Sequence, residues 1–351
     1  IVRITKRLRI SIHCSKKSKK NMKVTPEELY KQFSALALPV NDATNVVSID
    51  GTCHKLGKTK DGYPEFYICS DGKEGHPKST PLENLDVYYD SPCSICEDGV
   101  TKQQCFSVLS LRRTGDSLYL YFITIVLRII ETLPSVPTSR KLAVEFDSLI
   151  SIFSPSHKYD ENKAKGLWGE LLVIEQSQMP EMLIDAWHRN ANDKFDFTMG
   201  KDKIEVKSTA SEERKHAFSI GQLNPSKNSN LVIASIMVRP SALSDTGLSI
   251  KDLYDKLQAK IHSTQTKLKL LKGIASIIGI ESNAFYSLAF DYATACDTLQ
   301  FYEASTIPHI DSDSVPVGVS EVSFASDLKG IECLNCESQI VKESSLYKSL
   351  F

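Results

Sequence analysis

The sequence predicts a mixed α/β fold, and three observations carry that expectation. From Val46 to Leu111 short alternating runs are punctuated by Asp50-Gly51, Asp61-Gly62, Asp71-Gly72 and Asp98-Gly99, the mark of a small β-rich unit. Leu118 to Ile130 is strongly apolar, and Leu142 to Phe153 is amphipathic at helical spacing. Beyond Asn162 the order becomes helix, hairpin, strand, buried strand and helix, which calls for a sheet covered by helices.

The elements follow in chain order. Residues 1–21 carry eight Lys or Arg and no acid, leaving −9 on the rest of a chain whose net charge is −1. That tail lacks the apolar core of a signal peptide and is expected to be disordered or foreign to the folded protein. Met22-Lys-Val-Thr-Pro-Glu-Glu-Leu-Tyr30 reads as a start followed by a capped helix. The β-rich unit then spans 22–115, and its Phe66-Tyr67-Ile68 and Val87-Tyr88-Tyr89 are better suited to sheet packing than to base stacking. Two helices link it onward over 116–157. The first opens near Asp116, ends before Pro134 and is interrupted by Arg128; it falls short of a membrane span. A core is expected over 158–265, followed by a helix (Leu268 to Ile280) and strands (Phe285 to Phe290, Leu299 to Ala304) over 266–351.

Nine cysteines without a signal peptide suggest free thiols in a reducing cytoplasm. Cys93/Cys96 and Cys333/Cys336 could together form a four-thiolate zinc site, or Cys53, His54, Cys69 and His76 could complete the first pair. The spacing of known ribbons is missing, so incidental cysteines are the simpler reading. No phosphate-binding glycine loop, internal repeat or nucleophilic triad is present, and Trp187-His188 reads as structural rather than as a base.

The informative stretch is Lys194 to Thr209. Phe195 and Phe197 flank Asp196 on a first strand, Gly200 to Lys203 turn the chain, and Ile204 and Val206 alternate with Glu205 and Lys207 on a second. Strand alternation gives Glu205 and Lys207 one face, with Asp196 across from it. Two carboxylates and an ammonium gathered beside a core are costly, and a divalent metal would explain them. Mg²⁺ prefers oxygen ligands and uses one or two carboxylates with substrate phosphate. Asp196 and Glu205, with the Val206 carbonyl, are the expected ligands, and Lys207 would orient the attacking water or stabilise developing charge. The bland alternative is a surface hairpin with a solvated ion pair.

The flanks add to this pattern. Asn162 to Glu175 has helical spacing, with Leu167, Leu171 and Ile174 toward the core and Glu170 near that stripe. Gly166 and Gly169 each cost a helix up to about 1 kcal/mol relative to Ala and suit a close approach. Glu170 is then an extra ligand, a hydrogen-bond acceptor beside the metal, or an ordinary solvated glutamate. Downstream, His216 to Leu223 reads as a third strand reaching Gln222, and Leu231 to Val238 as a strand buried on both faces. Lys163, Lys165, Arg214, Lys215 and His216 are the basic candidates near the site.

Through Gly166-Leu-Trp-Gly-Glu-Leu171, Phe195-Asp-Phe197, Ile204-Glu-Val-Lys-Ser-Thr209, Arg214-Lys-His216 and Gly221-Gln-Leu223, the chain resembles the PD-(D/E)XK nuclease superfamily. More closely, it is similar to the PD-(D/E)XK-motif proteins of bacterial restriction and phage-defence loci. The resemblance implies a restriction-endonuclease-like core (α-β-β-β-α-β) behind the β-rich domain and linking helices. It implies Asp196 and Glu205 as metal ligands, Lys207 as the catalytic lysine, and Glu170 and Gln222 as auxiliary site residues. Asp193 competes with Asp196 for the first carboxylate, and the literal Pro-Asp dipeptide is absent. The implied activity is cleavage of double-stranded DNA with Mg²⁺, for which Mn²⁺ could substitute, by a homodimer or with defence-complex partners. The alternatives are a non-catalytic DNA-binding or scaffold subunit and a zinc-stabilised interaction protein.

Overall fold

The computed structural model describes residues 24–72, 80–81, 83–154, 159–187, 193–226, 228–240 and 246–351. The basic tail, His76 and His188 lie outside the described residues. The chain divides into two compact units, 1–150 and 151–351.

The first unit opens with α1 (Pro26–Ala35), whose N-terminus carries the capping signal the sequence announced: Thr25 and Glu28 each accept the other's backbone N–H. Strands β1 (Thr44–Ser48), β2 (Lys55–Lys58), β3 (Pro64–Ile68), β4 (Thr80–Pro81), β5 (Leu85–Glu97) and β6 (Val100–Leu111) follow, in the spatial order β1-β2-β3-β6-β5-β4. β1 also runs parallel to the far half of β5, Thr44 opposite Ile95, which curls the sheet onto itself. Val46, Tyr67, Ile95, Phe106 and Val108 fill the inside of that curl. Helices α2 (Asp116–Thr132) and α3 (Ser139–Ile152) complete the unit, with Phe122 of α2 edge-on to Phe66 at 5.7 Å. Phe66 and Tyr67 are therefore packing residues. Among the described residues no helix is long and apolar enough to cross a membrane.

The second unit starts with α4 (Glu161–Gln176), capped by the Asp160 carboxylate on the amides of Asn162 and Lys163. After α5 (Pro180–Ala186) come β7 (Phe197–Met199) and β8 (Asp202–Thr209), joined by a tight turn in which Gly200 takes φ +59°. β9 (Lys215–Ser219), α6 (Ile220–Leu223) and β10 (Asn230–Met237) follow. Next are β11 (Gly247–Ser249), α7 (Ile250–Lys260), α8 (Thr264–Ile278) and α9 (Ser282–Ser287). The chain ends through β12 (Ala289–Asp291), α10 (Tyr292–Thr298), β13 (Gln300–Glu303), β14 (Ser323–Asp327), α11 (Gln339–Glu343) and α12 (Ser345–Lys348). The central sheet has the order β13-β10-β8-β7, with β8 and β10 parallel and both outer pairs antiparallel.

Three expectations need correction. The strand expected over His216 to Leu223 stops at Ser219, and Gln222 sits on the single helical turn α6, where its side-chain oxygen accepts the Ser219 amide at 3.0 Å. That strand does not join the central sheet; β9 pairs with β14, about a hundred residues later, Phe218 opposite Phe324. Its alternation turns His216 and Phe218 inward and leaves Lys215, Ala217 and Ser219 exposed, which suits a two-stranded cover over a sheet. The segment Phe285 to Phe290 is mostly the short helix α9 rather than a strand, and only Ala289–Asp291 extends.

Candidate metal and phosphate site

Strand β8 forms the centre of the site. Ile204, Val206 and Ser208 alternate with Glu205 and Lys207, and the first set faces α4. A Cβ on Gly169 would stand 2.5 Å from Ser208 Oγ and 3.5 Å from Val206, so this glycine lets the helix settle on the strand. Glu205 and Lys207 project from the opposite face, toward β9 and α6. There Glu205 Oε1 accepts from Lys207 Nζ at 2.9 Å and from the Gln222 side-chain amide. Lys207 also donates to Gln222 Oε1 at 3.1 Å, and its ammonium lies 5.4 Å from the centre of the Phe218 ring. Glu205, Lys207 and Gln222 thus close a triangle, with Glu205 only 4% exposed.

Asp196 enters from the start of β7. The hairpin ladder ends at Phe197 opposite Ile204, and Phe197 also bridges to Trp187 on its other edge. Where the ladder ends, Asp196 Oδ2 accepts the Val206 N–H at 2.7 Å, standing in for the missing strand partner. In an extended strand the N–H and C=O of one residue point to the same edge, so the Val206 carbonyl also points to the Asp196 side. It is Asp196, not Asp193, that holds this amide.

Glu170 approaches from α4, buried at 8% exposure, and accepts the indole N–H of Trp187 at 2.6 Å. The Trp187 ring is itself seated on Gly273 of α8, where a Cβ would come within 2.4 Å of it. Burial raises the Asp196 carboxyl well above the usual range. The charges of Glu170 and Glu205 push it the same way, against the pull of the Val206 amide and Lys207. Lys194 adds a second cation: burial lowers its ammonium, the Glu205 charge works against that, and its Cε fills the space left by Gly221.

These donors are carboxylate and carbonyl oxygens under mutual repulsion, the set that a hard divalent cation suits. The three carboxylates are not mutually close enough to act as one trio. Among the described residues, the one group of three ligating side chains with donor atoms all within 4.8 Å is Cys53, His54 and Cys69. Asp196, Glu205 and the Val206 carbonyl are the oxygens that could hold such an ion, with the Glu170 charge also acting on Asp196. Next to Lys207 a cleft of about 320 Å³ opens, lined among others by Asn162, Lys165, Gly166, Ser208 and Phe290.

The five residues singled out in the sequence thus gather around the start of β7 and the middle of β8, while some of the basic candidates do not. Arg214 Nη1 donates to the Ser235 carbonyl at 3.0 Å and hydroxyl at 2.9 Å, and His216 is buried against that same hydroxyl. Both belong to the packing of β9 on β10, and Lys215 is paired with Glu213 at the surface. Trp187 and Lys194 were missed. A tryptophan ahead of an acidic hairpin signals that its N–H needs an acceptor, whereas nothing local marks Lys194.

A four-stranded mixed sheet under a helix, with carboxylates and a lysine meeting at the end of a hairpin, defines a nuclease-like class of fold. Residues 52–329 match the model of the family described as "Putative PD-(D/E)XK family member, (DUF4420)", and the chain belongs to that family. No curated protein and no solved structure matches the chain.

Proposed function

We propose that the chain is a metal-dependent deoxyribonuclease that hydrolyses phosphodiester bonds of double-stranded DNA, using Mg²⁺ or Mn²⁺, in bacterial restriction or anti-phage defence. The observation that carries this reading is the Glu205–Lys207–Gln222 triangle lying beside Asp196 and the Val206 carbonyl. A divalent ion bound there would acidify water and neutralise phosphate charge. Asp196, Glu205 and the Val206 carbonyl would hold it. Lys207, kept in place by Gln222, orients the attacking water and offsets charge growing on the phosphate oxygens. Trp187 fixes Glu170 on the far side, and Lys194 supplies a further cation to the approaching backbone. A double-strand cut calls for two such sites, hence a homodimer or a defence-complex partner.

Incubation of the full chain with plasmid DNA and Mg²⁺ or Mn²⁺ tests the reading. Cleavage is expected, with Asp196→Ala and Lys207→Ala each lowering the rate at least about 10²-fold. Cleavage that survives both substitutions overturns the assignment. DNA binding with no hydrolysis under any divalent ion favours a scaffold subunit instead.

A further inference from the structure

We propose that Cys53, His54 and Cys69, all in the first unit, form a separate site for a thiophilic divalent ion of the zinc class. The backbone brings them together. β2 and β3 pair antiparallel with Lys55 opposite Tyr67, and that register, continued past the ladder's end, sets Cys53 opposite Cys69. His54 is held by the turn after β1: its N–H reaches Thr52 Oγ1 at 3.0 Å and its carbonyl accepts the Ile49 amide at 3.1 Å. Gly51 at φ +76° allows that turn.

The donor atoms then converge. Cys53 Sγ lies 3.9 Å from His54 Nδ1, and all three donors fall within 4.8 Å of one another. Tetrahedral zinc with its usual bond lengths separates a sulfur from a nitrogen by about 3.5 Å and two sulfurs by about 3.8 Å. Small side-chain rotations therefore suffice. His54 Nδ1 accepts the Cys69 backbone N–H at 3.1 Å, so the other ring nitrogen carries the hydrogen, and an ion bound at Nδ1 would take the place of that amide. His54 is buried and both cysteines are half-buried, and the Cys53 thiol also donates to the Ser135 carbonyl at 3.4 Å. Two thiols and an imidazole are a soft set, unlike the carboxylates of the second unit, and they select zinc over Mg²⁺.

The other cysteine pair in this unit cannot substitute. Cys93 and Cys96 are three residues apart on β5 and so point to opposite faces. The ion would tie the β1–β2 turn to the end of β3.

Cobalt titration of the reduced full chain tests the site. A thiolate-to-cobalt absorption band saturating at about one equivalent is expected, displaced by zinc. Cobalt held by carboxylates alone gives no such band, so failure of the nuclease reading leaves this result interpretable. Zinc should also shield Cys53 and Cys69 from alkylation, mapped by mass spectrometry on the unmutated chain, while Cys105 and Cys336 stay reactive. Cys53→Ser and Cys69→Ser should each abolish the band, and Cys93→Ser should keep it. Absence of the band, or alkylation of Cys53 and Cys69 at the same rate with and without zinc, overturns the proposal.

Discussion

Glu170 shows how much one hydrogen bond can decide at a buried carboxylate. It is almost sealed from water, and the Trp187 indole N–H at 2.6 Å replaces part of the hydration it has lost. Trp187→Phe keeps most of the ring volume over Gly273 but removes that donor. A buried acceptor that loses one of its hydrogen bonds costs up to about 1–3 kcal/mol. Thermal and denaturant unfolding should therefore show a loss of that size. Glu170→Gln placed on the same background should recover part of it, because the neutral amide is cheaper to bury. A Trp187→Phe chain as stable as the parent would show that Glu170 draws no support from the indole.

At the level of elements, α4 is pressed on β8 because Gly169 has no side chain. Gly→Ala inside a helix ordinarily gains up to about 1 kcal/mol. Here the added Cβ would stand 2.5 Å from Ser208 Oγ, an atom that is buried without a hydrogen-bond partner. Gly169→Ala is expected to cost about 1–3 kcal/mol by overpacking, despite the gain in propensity. Ser208→Ala alone should be neutral or slightly stabilising, since it removes an unpaired polar atom. The double variant should recover most of the loss in a double-mutant cycle, and additive effects would refute the contact.

That close approach was readable in advance, because a glycine inside an apolar helical pattern asks for something beside it. The hairpin was readable for a similar reason: period-two alternation and Gly200 are local signals, and they brought Asp196, Glu205 and Lys207 together. The partner of β9 was not readable, since β14 lies far along the chain and strand pairing over that distance leaves no mark in local periodicity. The turn at α6 could have been read. Ser219 and Gln222 have the Ser-x-x-Gln spacing of a helix start, but the alternating run before them pulled the strand too far. The gathering of Cys53 with Cys69 depends on hairpin register, which spacing alone does not specify.

For the second unit as a whole, layering sets how stability responds to pH. The β9–β14 pair covers the polar face of the central sheet and buries His216 at 3% exposure. Ser235 Oγ accepts from the Arg214 guanidinium and shares a 2.7 Å hydrogen bond with His216 Nε2. Burial first, then the charges of Lys207 and Arg214, lower the His216 pKa to about 4 from an ordinary 6.5. Between those values the unfolded chain binds the proton and the folded one does not, so stability rises with pH across the window. The contribution is fully present above about pH 6.5 and is lost as pH falls toward 4, amounting to at most about 3 kcal/mol. Asp196 acts in the opposite sense: its raised pKa makes the folded state bind a proton more tightly, and that contribution fades as pH rises. The two overlap, so the absolute pH curve is not diagnostic, but its difference from a variant is. Denaturant midpoints measured from pH 7.5 to 4.5 should fall more steeply in the parent than in His216→Gln, which cannot titrate. Parallel curves would mean that the cover over the sheet opens before His216 takes its proton.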